Sequence, residues 1–217
     1  MKVMRSQLLF GFAKKRKRRE GGGRKPKDPQ KGAGVSHLRR PAVAKRFPLH
    51  VVVRMRGHVY SMRSGRCFRV LSRAFAAARS KFGMRLCHFA VQGNHIHFLV
   101  EAEDSTALAR GMKGLGVRMA KALNRVMGKQ GAVYADRYWA DILRTPTQVA
   151  NALEYVRTNA EKHELIRPGL LDPYSSWVVR ELTTAPQSWM LKVGWRRARP
   201  PTRAVAAATA GTHAQPK

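Results

Sequence analysis

The stretch MRLCHFAVQGNHIHFLVEA, residues 84–102, decides the fold. It predicts two strands, 84–92 and 95–102, because both runs are apolar, and Gly93 between Gln92 and Asn94 is typical of a hairpin turn. Successive side chains on a strand point to opposite faces. On the second strand, Ile96, Phe98 and Val100 therefore point to one face. His95, His97 and Leu99 point to the other face, which thus carries two imidazoles.

The segments around this hairpin alternate between strand and helix patterns. We predict a strand at 47–55, a helix at 67–83 whose stripe includes Phe82, a helix from Asp104 or Ser105 to about 127, a strand at 140–144 and a helix at 145–163. The order β-α-β-β-α-β-α is typical of a ferredoxin-like α+β fold. We expect a four-stranded antiparallel sheet with helices on one face, the other face open, and an extra C-terminal helix.

The charge is strongly positive and uneven. The 217 residues hold 43 Lys and Arg against 12 Asp and Glu, a net charge of +31, of which residues 1–47 contribute +14. Such an excess indicates a polyanionic partner, with nucleic acid as the first candidate. We predict a disordered basic arm at 1–46, a folded domain at 47–180 and a largely disordered extension at 181–217. A solubilising tail is the alternative for the arm.

A membrane partner is disfavoured. The apolar run at 8–13 is too short to span a bilayer, and it precedes its positive charges, unlike a signal peptide. Cys67 and Cys87 lie outside any metal-binding spacing and indicate two reduced thiols, as in a cytoplasmic protein.

The last predicted helix carries two stripes. Thr145, Pro146 and Gln148 form a typical helix start with a capping box. The core stripe consists of Val149, Leu153, Val156 and Ala160, and a polar stripe about 100° away consists of Gln148, Asn151, Tyr155, Asn159 and Lys162. Tyr155 and Asn159 are four residues apart and reach the same place. If this helix lies beside the histidine strand, the site gains a phenol and an amide oxygen.

These residue types favour phosphoryl transfer to tyrosine. Two imidazoles at i, i+2 can converge on a divalent ion, which would polarise an anionic phosphodiester. A phenol has a pKa of about 10, so it needs a metal or a cation nearby to become a good nucleophile. Covalent attachment then splits one difficult step into two easier ones.

Four stretches together resemble the HUH single-tyrosine transposases, and most nearly the REP-associated tyrosine transposases. The histidine–hydrophobic–histidine motif is NHIHFLVE (94–101), and the others are GMKGLGVRMAKALNRVMGKQG (111–131), VYADRYWADILR (133–144) and LEYVRTNAEKH (153–163). The resemblance covers about residues 47–180 and implies a ferredoxin-like fold. Many relatives have proline where this chain has Gly93, and Asn-Pro where it has Asn159-Ala160; neither departure removes a reacting group.

The resemblance implies a role for each site residue. His95, His97 and Asn159 would bind Mg²⁺ or Mn²⁺, and Tyr155 would attack single-stranded or hairpin DNA, leaving a 5′-phosphotyrosine and a free 3′-hydroxyl. It also implies DNA transposition or hairpin processing in a bacterial cytoplasm, with the protein on the nucleoid when bound to DNA. The family includes both monomers and homodimers.

Basic residues are predicted to contact DNA, with an ordinary solvated surface as the alternative. They are Arg110, Lys113, Lys121, Arg125, Arg137 and Lys162 in the folded domain and Lys14, Lys15, Arg16, Lys17, Arg18 and Arg19 in the arm. Arg137 could instead pair with Asp136 or Asp141.

Other assignments stay open from the sequence. Tyr138 and Tyr134 are rival nucleophiles, Tyr155 could be structural, and Asn159 could be a helix-end amide that binds no metal. Cys87 and His88 could form a zinc site with His95. A non-catalytic basic nucleic-acid-binding protein on the same fold is the alternative to an enzyme.

Overall fold

The structure, a computed structural model, describes residue 35 and residues 40–198. Its strands are β1 Leu49–Arg54, β2 Ser80–Lys81, β3 Met84–Val91, β4 His95–Ala102 and β5 Trp139–Ile142. Its α-helices are α1 Gly65–Ala78, α2 Ser105–Met127, α3 Pro146–Lys162 and α4 Trp189–Lys192, and two short 3₁₀ helices span Arg180–Leu182 and Gly194–Arg197. The α+β class and the order of the main elements are as predicted.

The strands form one antiparallel sheet in the order β2-β3-β4-β1-β5. Apart from the two-residue β2, this is the strand order of a ferredoxin-like fold. In the central pair, Val51 of β1 lies opposite Phe98 of β4, and Val52 lies opposite His97. Directly opposed residues share a face, so this register separates an apolar side of the sheet from a histidine side.

Helices α1 and α2 cover the apolar side. Phe98 and Ile96 of β4 are fully buried there, and Phe75 of α1 contacts Phe98 edge to face with ring centroids 5.6 Å apart. The inward stripe of α2, which ends on Met127, is also buried. This layer is the main hydrophobic core of the domain.

Helix α3 covers the other side of the sheet, which the expected layout left open. Val149, Ala152 and Val156 of α3 form a second apolar cluster with Leu99 of β4 and Ala90 of β3. This cluster occupies only part of the face. The remainder, toward the start of β4 and the end of α3, is polar and holds the predicted site.

The predicted helix at 67–83 is too long. Helix α1 ends at Ala78, and β2 then folds back on β3 through a two-residue turn at Phe82 and Gly83, which have φ values of 57° and 74°. Two successive positive φ values are typical of a type I′ hairpin turn. Phe82 is therefore 57% exposed instead of continuing the buried stripe.

Part of the predicted extension, residues 181–198, contacts the folded domain. The buried Glu101 carboxylate accepts hydrogen bonds from the backbone N–H groups of Gln187 (2.7 Å) and Ser188 (2.9 Å), and Met190 and Leu191 join the cluster under α3. Residues 199–217 lie outside the described part of the chain.

The predicted arm also reaches the domain at its end. Val43 packs against the main core, and its backbone N–H donates to Ser105 Oγ (3.0 Å). The basic run from Lys14 to Arg19 lies outside the described residues. Within the described residues, none of the helices combines the length and the apolarity that crossing a membrane requires.

Candidate active site

The start of α3 determines which residues face the histidines. The capping box is present: Thr145 Oγ1 accepts from the Gln148 backbone N–H (3.2 Å), and Gln148 Oε1 accepts from that of Thr145 (3.1 Å). Helical spacing from this start stacks Tyr155, Asn159 and His163 one turn apart. Tyr155 and Asn159 are buried against the sheet.

The histidine pair meets this helix face. His95 and His97 lie on one side of β4, with ring centroids 4.8 Å apart. The Tyr155 ring contacts His97 edge to face at a centroid distance of 5.0 Å, and the His163 ring lies 6.4 Å from that of His95. Asn159 is one turn from both Tyr155 and His163. The fold therefore brings together the two imidazoles, the phenol and the amide that the sequence singled out.

The Nδ1 atom of each histidine already has a partner. Nδ1 of His97 lies 3.0 Å from Nε2 of His50, and Nδ1 of His95 lies 2.8 Å from Oδ1 of Asn94. The Nε2 atoms of both histidines are buried and have no hydrogen-bond partner among the described residues, and neither has the side-chain amide of Asn159. Buried polar atoms without partners are rare, and each costs about 1–3 kcal/mol. Three residues with such atoms lie together at this place.

The imidazoles are neutral at physiological pH. Burial lowers the pKa of His50 and of His95 from 6.5 to about 4, and it lowers the pKa of His97 well below the usual value. His163, which is less buried, also has a lowered pKa because of partial burial and the nearby Lys162 charge. Neutral imidazole is the form that binds a metal ion.

Tyr155 is protonated in the same environment. Its side chain is only 5% exposed, and burial raises the pKa of its phenol above the usual 10. Asn159 lies close enough to offset part of this rise, although its amide atoms lack a partner at hydrogen-bond distance within the described chain. Lys162 Nζ lies 5.3 Å from the centre of the Tyr155 ring. The phenol therefore needs added positive charge before it can act as a nucleophile.

The rival residues are engaged elsewhere. The Tyr134 hydroxyl donates to the Gly116 carbonyl (2.5 Å), and Tyr138 packs against the main core. The described part of the chain holds no cluster of three or more His, Cys, Asp or Glu that could bind a metal, so Cys87, His88 and His95 do not form a zinc site.

The predicted DNA contacts separate into two places. Lys162 lies at the site, whereas Arg110, Lys113, Lys121 and Arg125 are exposed on α2, which packs on the apolar side of the sheet. The sheet therefore separates these four residues from Tyr155. Arg137 is half-buried in the segment before β5, where its backbone N–H donates to the Asp136 carboxylate (2.7 Å).

Sequence reasoning missed the residues that surround the histidines. His50 stacks on His97 with ring centroids 5.2 Å apart, and the Trp139 ring contacts His50 edge to face at 5.7 Å. A signal for His50 was available, because it lies in the strand LHVVVR and alternation alone decides its face. The pairing of β1 with β4 was not readable from either strand alone.

Comparisons with known proteins show the family and the fold of the chain. The sequence model of a family described as Transposase IS200 like matches residues 44–159, which is more than half of the chain. Among solved structures, a REP-associated tyrosine transposase bound to a REP hairpin is similar at a TM-score of 0.55 and 15% identity, over 73% of this chain and 96% of that chain. A candidate transposase from Deinococcus radiodurans R1 has a TM-score of 0.38 and 14% identity, over 50% of this chain and 87% of that chain.

None of the curated proteins matches the chain. At 15% identity, the hairpin-bound structure shows a shared fold and no more. The match over residues 44–159 spans the histidine strand and ends on Asn159 of the tyrosine helix. The chain belongs to the IS200-like transposase family.

Proposed function

We propose that this chain cleaves single-stranded or hairpin DNA by attack of Tyr155 on a phosphodiester, with Mg²⁺ or Mn²⁺ held by His95, His97 and Asn159. The observation that carries the proposal is the set of buried, unpartnered atoms on those three residues beside the Tyr155 ring. The transposase family and the hairpin bound to the structural relative support DNA as the substrate.

The residues fit a divalent ion. A cation would accept lone pairs from the two Nε2 atoms and from the Asn159 oxygen, which removes the cost of burying them unpaired. When bound, such an ion supplies charge that polarises the phosphoryl oxygen and stabilises the transition state. Burial lowers the pKa of His95 to about 4 and that of His97 well below its usual value, so both rings keep these lone pairs available at neutral pH.

Tyr155 would be the nucleophile. Its oxygen forms a bond to phosphorus as the bond from phosphorus to the 3′ oxygen breaks. The phenol proton is lost and the departing 3′ oxygen gains a proton, so the products are a 5′-phosphotyrosine and a free 3′-hydroxyl. The same chemistry can run in reverse. A 3′-hydroxyl attacks the phosphotyrosine, the tyrosine leaves, and the strand is rejoined or transferred.

Lys162 would bring DNA and nucleophile together. Its ammonium lies over the Tyr155 ring and on the exposed surface, so it can contact the incoming phosphate and also favour the phenolate. A basic chain with a net charge of +31 adds an attraction for DNA that depends on salt and not on sequence.

Trapping the covalent intermediate tests the proposal. The full chain is incubated with Mn²⁺ and hairpin DNAs that carry single-stranded flanks and a label on the 3′ side of each candidate phosphodiester, and adducts are separated under denaturing conditions. The wild type should form a labelled adduct, and Tyr155→Phe should form none. Tyr138→Phe is the matched control, because that ring packs in the main core away from the histidines.

Two results would overturn parts of the proposal. An adduct of equal yield from Tyr155→Phe would exclude this residue as the nucleophile. Tight hairpin binding with no adduct from the wild type, on a panel covering both hairpin ends, would favour the non-catalytic nucleic-acid-binding protein.

A further inference from the structure

His50 occupies a place in the site that the proposed reaction does not yet use. It is 5% exposed, it belongs to β1, and it lies diagonally across the strand pair from His97, because Val52 is the direct partner of His97 and Leu99 that of His50. The two rings are nearly parallel, at an interplanar angle of 23°. Its Nε2 approaches Nδ1 of His97 to 3.0 Å.

The two histidines of β4 are held in the same way. On His95, the partner of Nδ1 is the Asn94 Oδ1 atom at 2.8 Å, which can only accept, so Nδ1 carries the proton and Nε2 carries a lone pair. On His97, a proton on Nδ1 would produce the same arrangement, with Nε2 of His50 as the acceptor. In both residues the remaining Nε2 is buried and without a partner in the described chain.

We infer that His50 is a positioning residue for the metal site: by accepting a hydrogen bond from Nδ1–H of His97, it holds that ring in the tautomer whose Nε2 can bind a cation. The inference rests on the proposed function, since it assigns a role toward the same ion. A neutral imidazole has one N–H, so fixing it on Nδ1 leaves the lone pair on Nε2. Partners of this kind behind metal-binding histidines set ring orientation and ligand strength.

Trp139 completes the support of His50. Its ring meets that of His50 at an interplanar angle of 86° from the neighbouring strand β5, and its direct partner on β1 is Val52. His50 is thus held between Trp139 on one side and His97 on the other. The imidazole is positioned by three adjacent strands, β5, β1 and β4, before any ion arrives.

The test measures metal binding without DNA. Mn²⁺ affinity is determined from the electron paramagnetic resonance signal of free Mn²⁺ for the full chain, His50→Phe, His50→Gln and His97→Ala. His50→Phe keeps a ring but has no acceptor, and it should weaken Mn²⁺ binding by about 10- to 100-fold. His50→Gln places an amide oxygen near the position of Nε2 and should bind Mn²⁺ almost as the wild type does.

A second readout does not need the metal. In long-range ¹H–¹⁵N spectra of the histidine-labelled apo protein, His97 should be protonated on Nδ1 in the wild type and in His50→Gln. In His50→Phe this preference should be lost. If His50→Phe does not fold by circular dichroism, the wild-type tautomer and the His50→Gln affinity still decide the question.

The outcomes separate this inference from the proposed function. Mn²⁺ binding that requires His97 but is equally tight in His50→Phe would overturn the role of His50 and leave the proposed site standing. Equal losses in a folded His50→Phe and in His50→Gln, or a proton on Nε2 of His97 in the wild type, would also overturn it. A wild type whose Mn²⁺ binding is unchanged by His97→Ala would overturn the metal site and this inference together.

Discussion

The two faces of β4 are built from alternate residues of one eight-residue strand, and they differ in almost every physical respect. Toward α1 and α2, Ile96, Phe98 and Val100 are fully buried among apolar neighbours. Toward α3, His95 and His97 are also buried, but each keeps one ring nitrogen without a partner in the described chain. Burial of the apolar side chains stabilises the folded state, whereas the unpartnered nitrogens of the two histidines destabilise it.

The apolar face can offset the energetic cost of the buried histidines on the other face. Buried polar atoms without partners destabilise a protein, and apolar burial contributes about 25 cal/mol per Å² in the other direction. A rigid apolar layer directly behind the histidines offsets their cost and fixes the backbone from which they project. The proposed site and the main core therefore lie on opposite faces of one strand, one residue apart.

Removing a histidine should have the largest effect, and the effect should be on catalysis. His97→Ala should lower the rate of covalent adduct formation by at least about a thousandfold, because a metal ion contributes several kcal/mol to the transition state. The rate is measured on labelled hairpin DNA with Mn²⁺. His58→Ala, at an exposed position, is the control and should cleave normally. Substantial cleavage by His97→Ala would show that the histidine face is not the metal site.

Removing the neighbouring phenylalanine should affect stability. Phe98→Ala should lower the free energy of unfolding by about 3–5 kcal/mol, because it leaves a cavity in the main core. Urea denaturation followed by circular dichroism measures this value. His97→Ala should cost less in the metal-free protein, since it also removes a buried nitrogen without a partner. If the two variants lose equal stability, the contrast between the faces is wrong.

Acid should weaken the histidine face selectively. The pKa values of His50 and His95 are about 4 in the folded chain and 6.5 when exposed, so below pH 6.5 the unfolded chain binds more protons. Because burial disfavours the charged form of each ring, the folded state is not penalised above pH 6.5 and loses stability as the pH falls toward 4. At about pH 5 the loss is roughly 2 kcal/mol for each such histidine.

Thermal unfolding of the metal-free protein from pH 8 to pH 4.5 measures this loss. His50→Gln removes one of the buried titrating rings and should flatten the decline of the melting temperature below pH 6.5. An unchanged decline would mean that other groups cause the acid sensitivity.

The smallest effect on cleavage is expected from variants of α2, which packs on the apolar side of the sheet. Removing two charges there with Lys113→Gln and Lys121→Gln should weaken hairpin binding by only a few fold and reduce its salt dependence. The rate of adduct formation from fully bound DNA should not change, because the sheet separates α2 from Tyr155. Lys162→Gln is the comparison and should lower that rate. A matching drop in the α2 variant would place the cleaved strand on the apolar side.

The local patterns predicted much of the fold. Alternation assigned the residues from His95 to Val100 to their faces, and the signals at Thr145, Pro146 and Gln148 located the start of α3. Where a pattern was locally ambiguous, the prediction was wrong. Nothing in residues 67–83 forbids a continuous helix, and only pairing with β3 pulls Ser80 and Lys81 into a strand and exposes Phe82.

The candidate site was predicted only in part, because local patterns relate only residues that are near each other in the sequence. His95 with His97, and Tyr155 with Asn159, are close in sequence, and their local periodicity places each pair on one face. His50 and Trp139 lie on other strands, so no local pattern links them to His97. The anchoring of Gln187 and Ser188 likewise depends on Glu101, which lies 86 and 87 residues earlier in the chain.

By itself, the sequence determined the faces: which side chains of β4 and α3 point together, and that two imidazoles, a phenol and an amide are available for one site. Only the tertiary structure decided that α3 lies on the histidine side, that His50 stands behind His97, and that the basic residues of α2 lie across the sheet. Periodicity is a property of neighbouring residues, whereas layer order and strand pairing depend on contacts between segments far apart in the chain.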